Sequence, residues 1–164
     1  MDIAQIVSIV AAFLCTLVAG FLFAWAVVVM PGLARLPDRE FLRAFQVMDR
    51  IIQDNQPVFM LVWAGSVFAV VAAAVLGFGP LDRAGRVLVV IAAVAYVLGV
   101  QLPTIAINVP LNNGLQALHT DTMDEHALRT AREGFERRWN RSNVFRTTVA
   151  SLVSVLLLVV LIRL

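Results

Sequence analysis

The stretch Ile3–Met30, IAQIVSIVAAFLCTLVAGFLFAWAVVVM, decides the fold. It holds no charged residue, and a helix needs about 20 apolar residues to cross a hydrocarbon core of roughly 30 Å. The run is too long for the apolar part of a signal peptide, and no basic segment precedes it. It therefore reads as a retained span, with the mature chain expected to begin near Met1. Three further stretches pass the same test, which places spans at approximately 4–30, 57–78, 86–108 and 143–162. Inside a bilayer each backbone N–H and C=O needs a partner within its own segment, so apolar runs of this length are helices. The expected fold is all-α: an integral membrane bundle of four transmembrane helices, forming one membrane domain over residues 1–164.

Composition agrees with a lipid solvent. With 164 residues, 60% of them hydrophobic, and a mean hydropathy of +0.86, the chain carries more apolar surface than one small core can hide. The bilayer is the partner this composition implies. All 13 basic residues are arginine, and they alternate with acids to a net charge of +2, so no basic patch marks a nucleic-acid surface. The single Cys15 lies within an apolar run, which excludes a disulfide framework and a cysteine-based metal site. No cofactor signature is present.

The connections differ in kind. Between spans two and three lies only Gly77-Phe78-Gly79-Pro80-Leu81-Asp82, a tight turn that predicts an antiparallel hairpin. The other two connections contain amphipathic helical segments. In the first, Phe41, Phe45, Met48 and Ile52 share one face, and Arg39, Arg43, Gln46, Arg50 and Gln53 share another, as in a helix lying on the membrane surface. In the second, Thr122 and Glu125 have capping-box spacing, and Leu128, Ala131, Phe135 and Trp139 continue at helical intervals, predicting a helix that runs unbroken into span four. Small residues at Gly65, Ala69, Ala73 and Gly77, and at Gly20 and Ala24, predict inward faces of spans two and one.

Arginine distribution sets the expected orientation. The first long connection carries four arginines and the second carries five before Arg146, against two in the short turn and one near the C-terminus. By the positive-inside rule both long connections are cytoplasmic and both termini outside, in a multi-pass protein of a bacterial inner membrane.

This topology gathers polar residues at one leaflet. Gln101, Thr104 and Asn108 point to one side of span three, where Pro103 and Pro110 loosen the backbone, and Asn112 follows. Trp139, Asn143 and Arg146 make a similar stripe at the start of span four. Carboxamides facing acyl chains would lack partners, so both stripes are expected to look inward and line a pocket. Asp49 sits on the apolar side of the first amphipathic helix, and Arg146 is the charge placed to pair with it. The bland reading sends Asp49 round to solvent beside Arg50 or has it cap a helix end. His119 and His126 match no metal-ligand spacing, and the acids between them suit helix capping better, so no metal site is expected. No serine or cysteine nucleophile is placed beside a histidine, and no glycine-rich phosphate loop occurs.

Three stretches carry a family resemblance: Val29-Met30-Pro31-Gly32-Leu33-Ala34-Arg35-Leu36-Pro37, then Asn108-Val109-Pro110-Leu111-Asn112 with Leu115, then Trp139-Asn140 with Asn143, Arg146 and Thr147. With the order and length of the spans, the chain resembles the DUF1772 family of small four-helix membrane proteins, which includes the anthrone oxygenases. One departure stands out: relatives commonly carry an asparagine at the position occupied here by Asp49. The resemblance implies oxygenation of an activated aromatic without a cofactor, in which a base removes a proton and the carbanion meets dioxygen. It makes Asp49 or His119 candidate bases and Asn108, Asn112, Asn143 and Arg146 candidate donors to the oxyanion. Asp49, Arg146 and Asn108 are then the catalytic candidates, and Gln46, Gln101, Thr104, Asn112, Trp139 and Asn143 are the candidates to bind a hydrophobic small molecule.

Two classes of function stand at this point. One is an oxygenase-like enzyme or binder acting on a hydrophobic aromatic; the other is a non-catalytic membrane protein whose polar groups tie helix ends or hold a lipid, a partner or a second copy in a homo-oligomer. A transporter or channel is disfavoured, since no span carries a charge at mid-membrane and no inverted repeat is evident.

Overall fold

The computed structural model describes residues 2–164 of the chain; the expected start of the mature protein at Met1 lies outside them. Among the described residues five helices make the fold: α1 Ile3–Leu33, α2 Asp38–Gln53, α3 Pro57–Leu76, α4 Arg83–Gln116 and α5 Glu125–Ile162. Four of them, α1, α3, α4 and α5, are long and apolar enough to cross a membrane. The expected hairpin and the expected unbroken fourth helix are both present. Around the bundle α1 packs on α3 and α5, and α4 packs on α5 and α3.

Spans one and three run further than their prolines suggested. A helical proline lacks an N–H and its ring crowds the carbonyl four residues earlier. Pro31, Pro103 and Pro110 would crowd the carbonyls of Val27, Gly99 and Ala106. Each of those residues lies within a π-helical turn, at Trp25–Val29, Val97–Gln101 and Thr104–Asn108 respectively. The wider turn takes up the clash, and the helix continues through the proline to Leu33 in one case and Gln116 in the other.

The membrane-level core is small and aliphatic. Ala11, Cys15, Val18, Val70, Ala73, Ala92, Val153 and Leu157 meet there, with Tyr96 hydrogen-bonded to Ser66 at 2.6 Å. Gly99 provides the closest approach, since a Cβ added to it would lie 2.7 Å from Val149. At the far end Leu81 folds back between Gly77 and Gly85, where an added Cβ would stand 2.8 Å from its side chain in each case. The small-residue expectation holds for α3, whose Ala69 and Ala73 are buried and whose Gly65 abuts Leu14. It fails for α1, where Gly20 and Ala24 face outward because the inward face is taken by Val18, Ala19 and Leu22.

Beyond the bundle, α2, the end of α4 and the first half of α5 build a cap with its own aromatic core. Phe45 meets Phe135, Trp25 and Trp139 at centroid distances of 4.6, 5.3 and 5.4 Å, and Phe41 sits beside Phe135. The apolar face of α2 is therefore covered by α5, not by lipid headgroups as its amphipathic pattern implied. Its polar face is used as well: Arg39 donates to the carbonyls of Thr120 and Met123, and Arg43 pairs with Asp121. Arg132 of α5 binds Asp38 at 3.0 Å, Glu136 at 2.8 Å and the carbonyls of Ala34 and Leu36, and covers the Phe41 ring. Burial works against its charge, but the Glu136 and Asp38 carboxylates outweigh it and hold the guanidinium above its ordinary pKa. The cap of α5 is Asp124, which accepts from the Ala127 N–H at 2.8 Å. Thr122 turns away to the His119 carbonyl, so the expected Thr122 capping box does not form.

Candidate functional site

Where the cap meets the bundle the helices leave a cavity of about 210 Å³. In the same measure one water needs roughly 10–15 Å³, so the space is ligand-sized and not a packing defect. Most of its wall is apolar: Leu22, Phe45, Ile52, Phe59, Met60 and Val109, with Phe21. All three tryptophans of the chain, Trp25, Trp63 and Trp139, border it. The polar members are Asp49, Thr104, Asn108, Asn112, Asn143 and Arg146.

Helix geometry explains how these side chains arrive together. The π turn at Trp25–Val29 sets Trp25 on the wall, and the turn at Thr104–Asn108 aims Thr104 and Asn108 at α5. There Asn108 accepts from Ser142 at 2.6 Å, and Thr104 accepts from Arg146 at 2.8 Å. Gln101, in the preceding π turn, looks elsewhere and accepts from Trp63 of α3 at 2.9 Å. The expected single stripe of span three is thus divided between two neighbours. On α5, Trp139, Asn143 and Arg146 are all buried on one face, as their spacing implied.

The two charges of the cavity are treated very differently. Asp49 is 2% exposed, and its carboxylate accepts from Asn112 and Gln53 at 2.7 Å and from Gln116 at 3.0 Å. Asn112 also accepts from the Trp139 indole at 2.8 Å, which fixes the orientation of its carboxamide. Arg146 is 4% exposed and donates to Thr104 and, at 2.9 Å, to Asn143, whose own amide reaches the Leu22 carbonyl. It forms no ion pair among the described residues. The expected Asp49–Arg146 pair is therefore corrected: carboxamides outcompete the guanidinium for the carboxylate because α2 and the end of α4 are in direct contact, whereas Arg146 lies deeper on α5. Two fully buried nitrogens of wall residues have no hydrogen-bond partner, Arg146 Nε and Asn108 Nδ2, and Gln101 Nε2 nearby is also unpartnered.

Other expectations fall outside the cavity. Gln46 ties α2 to the carbonyls of Leu115 and Leu118 at 2.9 and 3.1 Å and does not reach the wall. His119 is an exposed residue of a separate groove beside Arg43 and Arg50, which removes it as a base for this cavity. Among the described residues no three His, Cys, Asp or Glu side chains cluster closely enough to hold a metal ion. Gln116, Trp63, Trp25 and Met60 belong to the site and were missed in the sequence. Only Gln116 left a signal there, standing one helical turn beyond Asn112.

A four-helix membrane bundle with a capped, apolar cavity holding one caged carboxylate and one unpaired guanidinium is the class that fold and site define. The family model described as anthrone oxygenase matches residues 48–157, a range that contains α3, α4, most of α5 and Asp49. The chain belongs to this family, the DUF1772 family. No curated protein matches it, and no solved structure does.

Proposed function

We propose that the cavity binds a hydrophobic aromatic molecule with an acidic C–H, and that the chain oxygenates it without a metal or organic cofactor. Asp49 is the base: its carboxylate borders the apolar space in which the ring system would lie. The proton passes from the ring methylene to Asp49, from which it later returns to the peroxide, and the electron pair is delocalised onto the oxygen of the conjugated ring carbonyl as an enolate. Dioxygen is the oxidant. It adds at the carbon to give a hydroperoxide, which loses water to leave a ketone, so one oxygen atom enters the product and the other leaves as water.

Arg146 and Asn108 are the donors that hold the enolate oxygen. The nitrogens Arg146 Nε and Asn108 Nδ2, buried in wall residues without a partner, are the observation that carries the reading, because buried donors without partners cost about 1–3 kcal/mol each and a small turn of either side chain toward a developing oxyanion relieves that cost. A purely structural role accounts for the bonds of Asn112, Asn143 and Trp139 but leaves these two N–H groups unexplained. By the arginine distribution the site lies at the cytoplasmic leaflet of a bacterial inner membrane, with both termini outside.

The test is oxygen uptake by the detergent-purified protein with anthrone, following mass spectrometry of co-purifying small molecules. Uptake in stoichiometry with ketone formation is expected. Absence of both uptake and any bound aromatic would sink the enzyme reading.

A further inference from the structure

The cavity wall is uneven in its exposure. Leu22, Trp25, Phe45, Asp49, Asn108, Trp139, Asn143 and Arg146 are buried, and Phe21, Ile52, Phe59, Trp63, Thr104 and Asn112 are half-buried. Only two wall residues are exposed, Met60 at 39% and Val109 at 42%. Both are apolar, and they come from different spans: Met60 from the first turn of α3 and Val109 from the end of the second π turn of α4. Their exposed neighbours are Val58, Leu61, Ile105 and Ile107, all of them side chains suited to acyl chains.

Packing leaves a slot at this place. The segment 104–108 rests on α5 and on the end of α4, while α3 rests mainly on α1 and on the earlier part of α4. On the cytoplasmic-cap side the cavity is roofed by Phe45, the caged Asp49 and the Asn112–Trp139 pair. The exposed part of the wall thus lies at Met60 and Val109, on the apolar outer face of the two spans, and the buried part lies under the cap.

We infer that the cavity takes its occupant sideways from the lipid leaflet, through a portal between Met60 and Val109. The inference rests on the reading that the cavity holds a hydrophobic small molecule, and it names where that molecule is drawn from. An apolar ring system leaves water for the bilayer in proportion to its apolar surface, so its local concentration is far higher there than in water. A portal lined by Met suits such traffic, since the flexible thioether moves aside at little cost. The substrate class is accordingly a lipid-dissolved aromatic and not a water-soluble conjugate.

The test labels the cavity directly and does not depend on turnover. In a Cys15→Ala background, Leu22→Cys places a thiol on the closed wall, and the protein is held in nanodiscs. A pyrene maleimide dissolved in the lipid is expected to label that thiol at least tenfold faster than a charged thiosulfonate in the water. Met60→Trp with Val109→Trp should slow the lipid-borne reagent at least tenfold, whereas Met60→Ala with Val109→Ala should not; Val109→Phe alone serves where the bulky double variant fails to assemble. Equal labelling from water, no labelling from lipid, or indifference to the portal tryptophans would overturn the portal. Oxygen uptake judges the chemistry separately: a portal without uptake leaves the route and removes the reaction, and uptake without a portal does the reverse.

Discussion

Asp49 and Arg146 border one cavity without touching, the carboxylate caged by three carboxamides and the guanidinium hydrogen-bonded to Thr104 and Asn143. Direct pairing would have neutralised both charges and closed the space between them. Separation keeps an acceptor on one side and a donor on the other, the arrangement that the proposed proton abstraction requires.

The first prediction concerns energetic coupling between these two residues. Breaking a direct buried ion pair by removing one partner costs about 3–5 kcal/mol, most of it recovered when the second partner is removed as well. With Asp49 and Arg146 apart, the double variant Asp49→Asn/Arg146→Met should show a coupling below about 1 kcal/mol in a double-mutant cycle of detergent unfolding. A coupling of several kcal/mol would restore the ion pair.

Arg146→Met by itself should separate stability from function. A buried guanidinium without a counter-ion is costly by several kcal/mol, while its loss leaves one Asn143 oxygen unpaired at about 1–3 kcal/mol. Thermal unfolding in detergent is expected to be unchanged or higher, and anthrone-dependent oxygen uptake to fall at least about tenfold, the worth of one charge-assisted hydrogen bond. A clear fall in melting temperature would make Arg146 a structural residue.

Asp49→Asn keeps the shape and one acceptor oxygen but removes the proposed base. Uptake should drop by about 10²–10⁴, and stability by about 1–3 kcal/mol, because the Gln53 and Gln116 donors lose the carboxylate oxygen they share. Uptake that survives this substitution assigns the base elsewhere.

Trp139→Phe retains the aromatic packing on Phe45 and Trp25 and removes only the indole N–H that orients Asn112. The expected loss of stability is about 1 kcal/mol. If Asn112 positions the Asp49 carboxylate, kcat should fall with KM nearly constant; a rise in KM alone would assign Trp139 to binding.

Gly99→Val tests the close approach of α4 to α5. Its Cβ would stand 2.7 Å from Val149, and overpacking of this kind costs about 1–3 kcal/mol. The compensating Val149→Ala should recover at least half of the lost melting temperature. Failure of the rescue would place the strain in the π turn itself.

Much of the fold was legible because hydropathy and length alone identify a membrane span. The runs at Ile3–Met30 and 57–78 allow no other structure in lipid, and the turn at Gly77–Asp82 allows no connection but a hairpin. Part of the site was legible for a related reason: Asn108, Asn143 and Arg146 are polar groups inside apolar runs and must turn inward. Trp25, Trp63 and Met60 gave no such sign, since an apolar side chain on a span is equally at home against lipid. Gln46 and Gln101 were polar and inward but bonded elsewhere, to backbone carbonyls and to Trp63.

Sequence by itself determined the solvent, the helices and the leaflet at which polarity gathers, because each follows from transfer energies that act residue by residue. The choice of partners belonged to the tertiary structure. Three π turns beside Pro31, Pro103 and Pro110 reset the rotation of α1 and α4, and a hydrogen bond reaches only about 3 Å. A change of rotation small enough to leave the helix pattern intact therefore decides whether Asp49 meets an amide or a guanidinium.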